Sequence, residues 1–537
     1  MAEKLYYGGT ILTMEENIYT EAVLTDNGKI KAVGTLEELK ARSKGKAEFI
    51  HLDGNTMLPG FIDSHSHITG LASTMALVPL NGAKSFEDII NRMKEFKERM
   101  KPGEKEWIVG FGYDHNFLEE KRHPDKYVLD RIDTEHPVLV SHASGHMGVM
   151  NSKALETAKV TEETEDPQGG RIGRLEGSKE PSGYLEETAF NKFASAMPAP
   201  TMEQQIKQLE AAQQVYFSYG VTTLQDGLTK QAQWQILKET AKTGRLKADV
   251  VSYIDIRDNA GLLDGSPEYV HNYKGHLKIG GYKLFLDGSP QGRTAWVTEP
   301  YEGTEDYFGY PVYKDDEVFG FMEKAVGEEQ QIIVHCNGDA AADQMINAYG
   351  RAIQKKEKVG MDLRPVMIHA QLVRKDQLKT MAKLGIIGSF FVAHTYYWGD
   401  VHIENFGRQR AKNISPVKSA MDAGVVCTFH QDTPVLPPDM LNTLWCSMNR
   451  KTKKGIQLAE NERVDVMDGL KALTINGAYE YFEENTKGSI REGKCADFVV
   501  LDKNPLTVEK EQIKEIHVVQ TIKDGEVVYN SNVNPAG

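Results

Sequence analysis

The chain has 537 residues, 40% of them apolar and 9% aromatic, which is enough to bury a large core and too long for one simple domain. Acidic residues outnumber basic ones 77 to 63, for a formal charge of −14, so a nucleic-acid surface and an anionic-membrane surface are excluded and a small molecule is the expected partner. Cys336, Cys427, Cys446 and Cys495 form no CxxC pair, so neither a disulfide framework nor a thiolate zinc site is expected.

The first residues, MAEKLYYGGTILTMEEN, carry no secretory h-region, and no run approaches the roughly 20 apolar residues of a spanning helix. Cytoplasm is the expected compartment. Residues 4 to 56 hold short β-rich runs with Asn27-Gly28 placed for a type I′ turn, and residues 495 to 530 repeat the pattern around Asp524-Gly525. Neither end makes a well-covered sheet alone. The expectation is a composite β-sandwich domain from residues 1–57 and 485–537.

Residues 58–484 read as an α/β barrel. Short buried-strand runs near 61–65, 221–225, 249–254, 282–286, 332–335, 366–369, 386–391 and 425–430 alternate with amphipathic helices, and eight such units favour a closed (β/α)8 TIM barrel over an open sheet. The long gap after the first strand predicts an insertion at about 70–200, over the barrel mouth. Within it, Ser85 and Asp88 predict a capping box for a helix that buries Phe86, Ile89, Ile90, Met93 and Phe96. Met197-Pro198-Ala199-Pro200 marks the return to the barrel.

His65, His67, His335, His369 and Asp432 fall at or just beyond the C-terminal ends of these strands, where barrel enzymes place their chemistry. His65 and His67 are two apart, so extended backbone sends both side chains the same way. An HxH alone is weak evidence. IIVHCNGDA, VMIHAQ and VVCTFHQD add to it, because each ends an apolar run with a polar residue that a buried strand avoids. Imidazole and carboxylate suit zinc or a similar ion, with one position left for water. Lys283 sits inside apolar YKLFL, where an unpaired ammonium is costly; an ion pair with Asp226 or Asp287 is the structural alternative. Tyr113, His115, His142, His146, Arg293 and His394 lie in segments suited to substrate contact, with surface exposure or plain aromatic packing as the alternative.

Taken together, LPGFIDSHSH, GVTTLQDG, YKLFLDGSPQGRTA, HCNGDAA, RPVMIHAQ and HQDTPV resemble the metal-dependent amidohydrolase superfamily. Within it the likeness is to the N-substituted formamide deformylase-like branch, amidohydrolase family 3, from about residue 4 to 530. The resemblance implies two divalent ions, zinc by preference. His65 and His67 would hold the more buried one, His335 and His369 the second, with Asp432 touching the first and a carbamate on Lys283 bridging both. The motif around His146 further implies that this residue holds the oxyanion; the expected chemistry is a metal-activated hydroxide that cleaves a non-peptide carbon–nitrogen bond in an amide, N-acyl or N-formyl compound, with Asp432, a carboxylate held against a metal, carrying the protons. Family habit alone suggests a homodimer. Gln371 stands where deaminating relatives place a glutamate, which favours amide hydrolysis. A one-metal ring-amidine deaminase is the first alternative, and Lys283 argues against it. A non-catalytic relative kept for assembly or regulation is the second, and the intact ligand set argues against that.

Overall fold

A computed structural model describes residues 3–103 and 106–533. The chain divides into two compact units, Met1–Leu71 with Leu209–Gly537, and Ala72–Gln208.

The first unit is built on eight parallel strands: β1 (Phe61–Ile62), β2 (Val221–Thr229), β3 (Asp249–Asp255), β4 (Leu277–Phe285), β5 (Gln331–Cys336), β6 (Val366–His369), β7 (Ile387–Phe390) and β8 (Cys427–Phe429). They pair in sequential order from β1 to β8 and form one curled sheet. Every strand expected from the sequence is present. Their near-continuous apolar runs follow from burial on both faces, as parallel strands under crossover helices require. Helices such as Gln231–Lys242, Asp315–Gly327, Asp339–Lys355 and Lys375–Leu384 make those crossovers. Ser64 Oγ donates to the Phe429 carbonyl at 2.8 Å, which ties the segment after β1 to the end of β8.

The two chain termini share a second sheet of eight strands. Thr56–Pro59 joins its halves, pairing parallel with Lys4–Leu12 and antiparallel with Phe498–Leu501. Because that strand serves both neighbours, the ladder is continuous, and one mixed sheet stands where a sandwich of two was expected. Both predicted hairpins form: Asn27 and Gly28 have φ of 49° and 76°, Asp524 and Gly525 of 50° and 76°, the left-handed values a type I′ turn needs. Tyr6, Val23, Ile30, Met57, Phe498 and Ile522 pack one face, while Leu5, Ala22, Leu24 and Leu39 pack a second cluster.

The Ala72–Gln208 unit holds a six-stranded mixed sheet and the predicted helix, Phe86–Met100, with Phe86, Ile89, Ile90 and Met93 buried and Phe96 partly so. Ser85 accepts from the Asp88 amide at 3.2 Å. The Asp88 carboxylate, however, accepts from the Lys84 amide and is held by Arg92 one turn on, so only half of the expected capping box is made.

At the N-terminal end of the parallel sheet, Asp249 takes Lys487 at 2.5 Å and Lys523 at 3.1 Å, while Glu483 takes Lys278 and Lys487. All five side chains are buried. Lys523 comes from the terminal sheet and Asp249 from β3, so the network couples the two layers. Removing one partner strands buried ammonium groups. Asp249→Ala is therefore expected to lower unfolding free energy by about 3–5 kcal/mol, measured by chemical denaturation.

Candidate metal centre

Strand register assembles the site. His335 lies opposite Phe285 of β4, and His369 opposite Cys336 of β5, so the polar ends of β4, β5 and β6 share one rim. Beyond β1 the chain runs on through His65 and His67, whose amide donates to the Thr433 carbonyl at 2.8 Å. This bond fixes the HxH segment beside Asp432. His369 and Asp432 have φ of 71° and 54°, backbone that non-glycine residues rarely adopt and that clusters at functional sites.

The predicted ligands converge. Asp432 Oδ1 lies 3.6 Å from His65 Nε2 and 3.3 Å from His67 Nε2, and Oδ2 lies 4.0 Å from His369 Nε2. Lys283 Nζ is 3.2 Å from His65 Nε2, and His369 Nε2 is 3.2 Å from His335 Nδ1. His65, His67 and Asp432 present three donor atoms within 4.8 Å of one another.

The donor set fits a cation, as the His65 tautomer shows. Gln225 Nε2 donates to the Ser64 carbonyl at 2.5 Å, so its Oε1 faces His65 Nδ1 at 2.8 Å and must accept a proton from it. The lone pair of His65 Nε2 is thereby left toward Lys283 and Asp432. His335 Nε2 lies 3.3 Å from the Gly288 carbonyl and 3.1 Å from Asn337 Nδ2, an acceptor and a donor, so its neighbours fix the ring's position but not its tautomer. Orientation of ligand imidazoles by outward hydrogen bonds is the usual support of a metal site.

Electrostatics agree. Burial, with the Lys283 charge second, pushes His335 down to about 4 and His65 well below the ordinary imidazole range, so both rings are neutral. Burial brings Lys283 down to about 7 against the opposing pull of Asp432. Burial alone would raise Asp432, yet the hydrogen bond and charge of His67 hold it below the usual carboxylate range. Lys283 takes neither of its expected partners. Asp226 accepts from Thr69 and Thr229. Asp287 accepts three backbone amides, from Trp296, Asn337 and Gly338.

The remaining predicted residues scatter. His394 is buried beside the cluster, its ring 6.0 Å from His369 and 4.2 Å from Phe391, with Trp398 next to it. Arg293 commits its Nε to Asn405 Oδ1 at 2.8 Å. Gln371 is buried against His402. Tyr113, His115, His142 and His146 belong to the Ala72–Gln208 unit. There Tyr113 is buried with its hydroxyl 2.9 Å from His123 Nδ1, and exposed His146 meets Glu187 at 3.1 Å. Asp114, His115 and His142 form a second group of potential ligand atoms, but the Ser144 amide donates to His142 Nδ1. Nε2 of His142 then carries the proton, 3.5 Å from Asp114 Oδ1, while that nitrogen and His115 Nδ1 are buried with no hydrogen-bond partner among the described residues.

Sequence reasoning passed over Gln225, Glu480 and His430. Glu480, pushed up to about 8 by burial, holds Gln225 Nε2 and Thr428, and His430 Nε2 is 3.0 Å from His369 Nδ1. Gln225 and His430 stand in motifs already singled out, GVTTLQDG and HQDTPV; their signal is a polar side chain at the end of an apolar strand.

The sequence pattern of the Amidohydrolase family matches residues 48–529. The chain belongs to that family. It is 28% identical over 547 residues to the putative amidohydrolase YtcJ of Bacillus subtilis (strain 168), covering 98% of this chain and 99% of the relative. To the N-substituted formamide deformylase of Arthrobacter pascens it is 26% identical over 547 residues, 98% of each. Among solved structures, an uncharacterized metal-dependent hydrolase from Pyrococcus horikoshii OT3 superposes with a TM-score of 0.73 at 25% identity, over 95% of this chain and 99% of that one.

Gly227 packs against His65 so closely that a Cβ there would lie 2.5 Å from Cε1 and 2.8 Å from Nδ1. Gly227→Ala is expected to displace the ring and weaken retention of divalent ions about tenfold or more, measured by chelator competition.

Proposed function

We propose that the protein is a metal-dependent hydrolase on a closed (β/α)8 barrel, cleaving a non-peptide carbon–nitrogen bond of an N-acyl or N-formyl amine. His65, His67 and Asp432 would hold one divalent ion and His335 and His369 a second, zinc being the ion that suits these donors. Lys283, as its carbamate, would complete the donor set. The observation that carries this assignment is the inward lone pair of His65 Nε2, whose ring proton is committed to Gln225, beside Lys283, a buried lysine in no ion pair among the described residues. Carbamate formation requires only carbon dioxide: the neutral Nζ adds to its carbon, a proton leaves to solvent, and an N-carboxylate replaces a buried amine.

Bound divalent ions supply Lewis acidity toward the scissile carbonyl and lower the pKa of a water. The chain's own contribution is proton handling. Asp432, ionised and held by His67, accepts the proton of the attacking water and returns it to the amine that leaves. Gln225 and Glu480 keep His65 in one tautomer. His394, with Phe391 and Trp398, forms an aromatic wall beside His369 that suits the apolar part of a substrate.

Elemental analysis of protein purified without chelator tests the assignment first, with about two ions per chain expected. A value of one or less, unchanged after zinc and bicarbonate, would defeat the bridged pair. Turnover is then sought in a panel of N-formyl and N-acyl amines. Asp432→Asn is expected to keep most of the metal and lose nearly all turnover, since it removes the proton carrier while keeping an oxygen donor; a variant of wild-type activity would end that role.

A further inference from the structure

Three buried side chains connect His369 to the backbone of β8. His369 Nδ1 lies 3.0 Å from His430 Nε2, His430 Nδ1 2.8 Å from Ser389 Oγ, Ser389 Oγ 3.1 Å from Ser64 Oγ, and Ser64 Oγ 2.8 Å from the Phe429 carbonyl oxygen. None of the four residues is more than 3% exposed, so bulk water does not complete their bonding. The chain of contacts therefore has a direction. A carbonyl oxygen only accepts, and a serine hydroxyl and a neutral imidazole each carry one proton. If Ser64 donates to Phe429, its oxygen accepts from Ser389. Ser389 then accepts from Nδ1–H of His430, and Nε2 of His430 accepts from Nδ1–H of His369.

We infer that His430 is a positioning residue which, through Ser389, Ser64 and the Phe429 carbonyl, holds His369 as the Nδ1–H tautomer with its Nε2 lone pair turned into the metal centre. This rests on the ligand role proposed above for His369. The opposite direction is the alternative the geometry disfavours. It would place a proton on His369 Nε2, aimed at His335 Nδ1, and would take the Ser64 proton away from the Phe429 carbonyl in a buried site. It would also block His369 as a ligand. The same carbonyl that ties the segment after β1 to the end of β8 thus selects the protonation pattern of a ligand two strands away.

The test is nitrogen NMR of isotope-labelled histidines in the metal-stripped full chain, joined to zinc competition with a chelator. The wild type is expected to show His369 as Nδ1–H. Ser64→Ala frees Ser389 to donate to His430 and is expected to switch His369 to Nε2–H, with zinc bound about 10–100-fold more weakly at one ion of the pair. An Nε2–H wild type, or a Ser64→Ala protein unchanged in tautomer and zinc affinity, would overturn the inference. If Ser64→Ala does not fold, His430→Phe against His430→Gln makes the comparison, since Gln restores an acceptor and Phe does not; equal zinc affinity in those two would overturn it as well. The tautomer is read without metal, so a wild-type chain that binds no divalent ion would defeat the metal assignment separately from this one.

Discussion

Parallel pairing in sequential order puts the C-terminal ends of all eight strands on one rim, and the chemistry of this chain depends on that constraint. Candidate ligands separated by more than three hundred residues, from His65 to Asp432, reach one small volume because each closes or follows a strand whose neighbour is fixed by register. His335 opposite Phe285 and His369 opposite Cys336 bring Lys283, His335 and His369 together without any loop having to reach. Rigid strands hold such a constellation more precisely than loops could.

Gathering imidazoles, an amine and a carboxylate in one largely buried cluster costs free energy unless each polar atom has a fixed purpose. Around the centre, the outward-facing atoms are satisfied by protein: His65 by Gln225, which is held in turn by Ser64 and Glu480, and His335 by Asn337 and the Gly288 carbonyl. The inward-facing atoms meet one another. Lone pairs that face each other repel, and a cation between them reverses the sign of that interaction.

The opposite end of the parallel sheet solves a different problem. Asp249, Glu483, Lys278, Lys487 and Lys523 are buried between the strands and the terminal sheet, and they alternate in sign so that no charge is left alone. Stability and chemistry are thereby assigned to opposite ends of the strands, the division expected of barrel proteins. The terminal sheet is itself joined through Thr56–Pro59, which leads directly into β1 and the HxH segment.

All eight strands, both hairpins, the Phe86–Met100 helix and the positions of His65, His67, Lys283, His335, His369 and Asp432 were legible in the sequence. Burial imposes an apolar pattern on each strand, a type I′ turn demands Asn-Gly or Asp-Gly, and a histidine or lysine in an apolar run has few other reasons to be there. These are signals a few residues long. The tertiary structure alone decided that Lys283 has neither Asp226 nor Asp287 as a partner, that Arg293 is spent on Asn405, that Asp88 turns to Arg92 instead of closing its box, and that the terminal strands make one sheet. It also decided that His430 contacts His369 and that Gln225 orients His65. Hydrogen-bond partners and ring tautomers depend on which strands lie side by side and in what register, and no local pattern of residues records that.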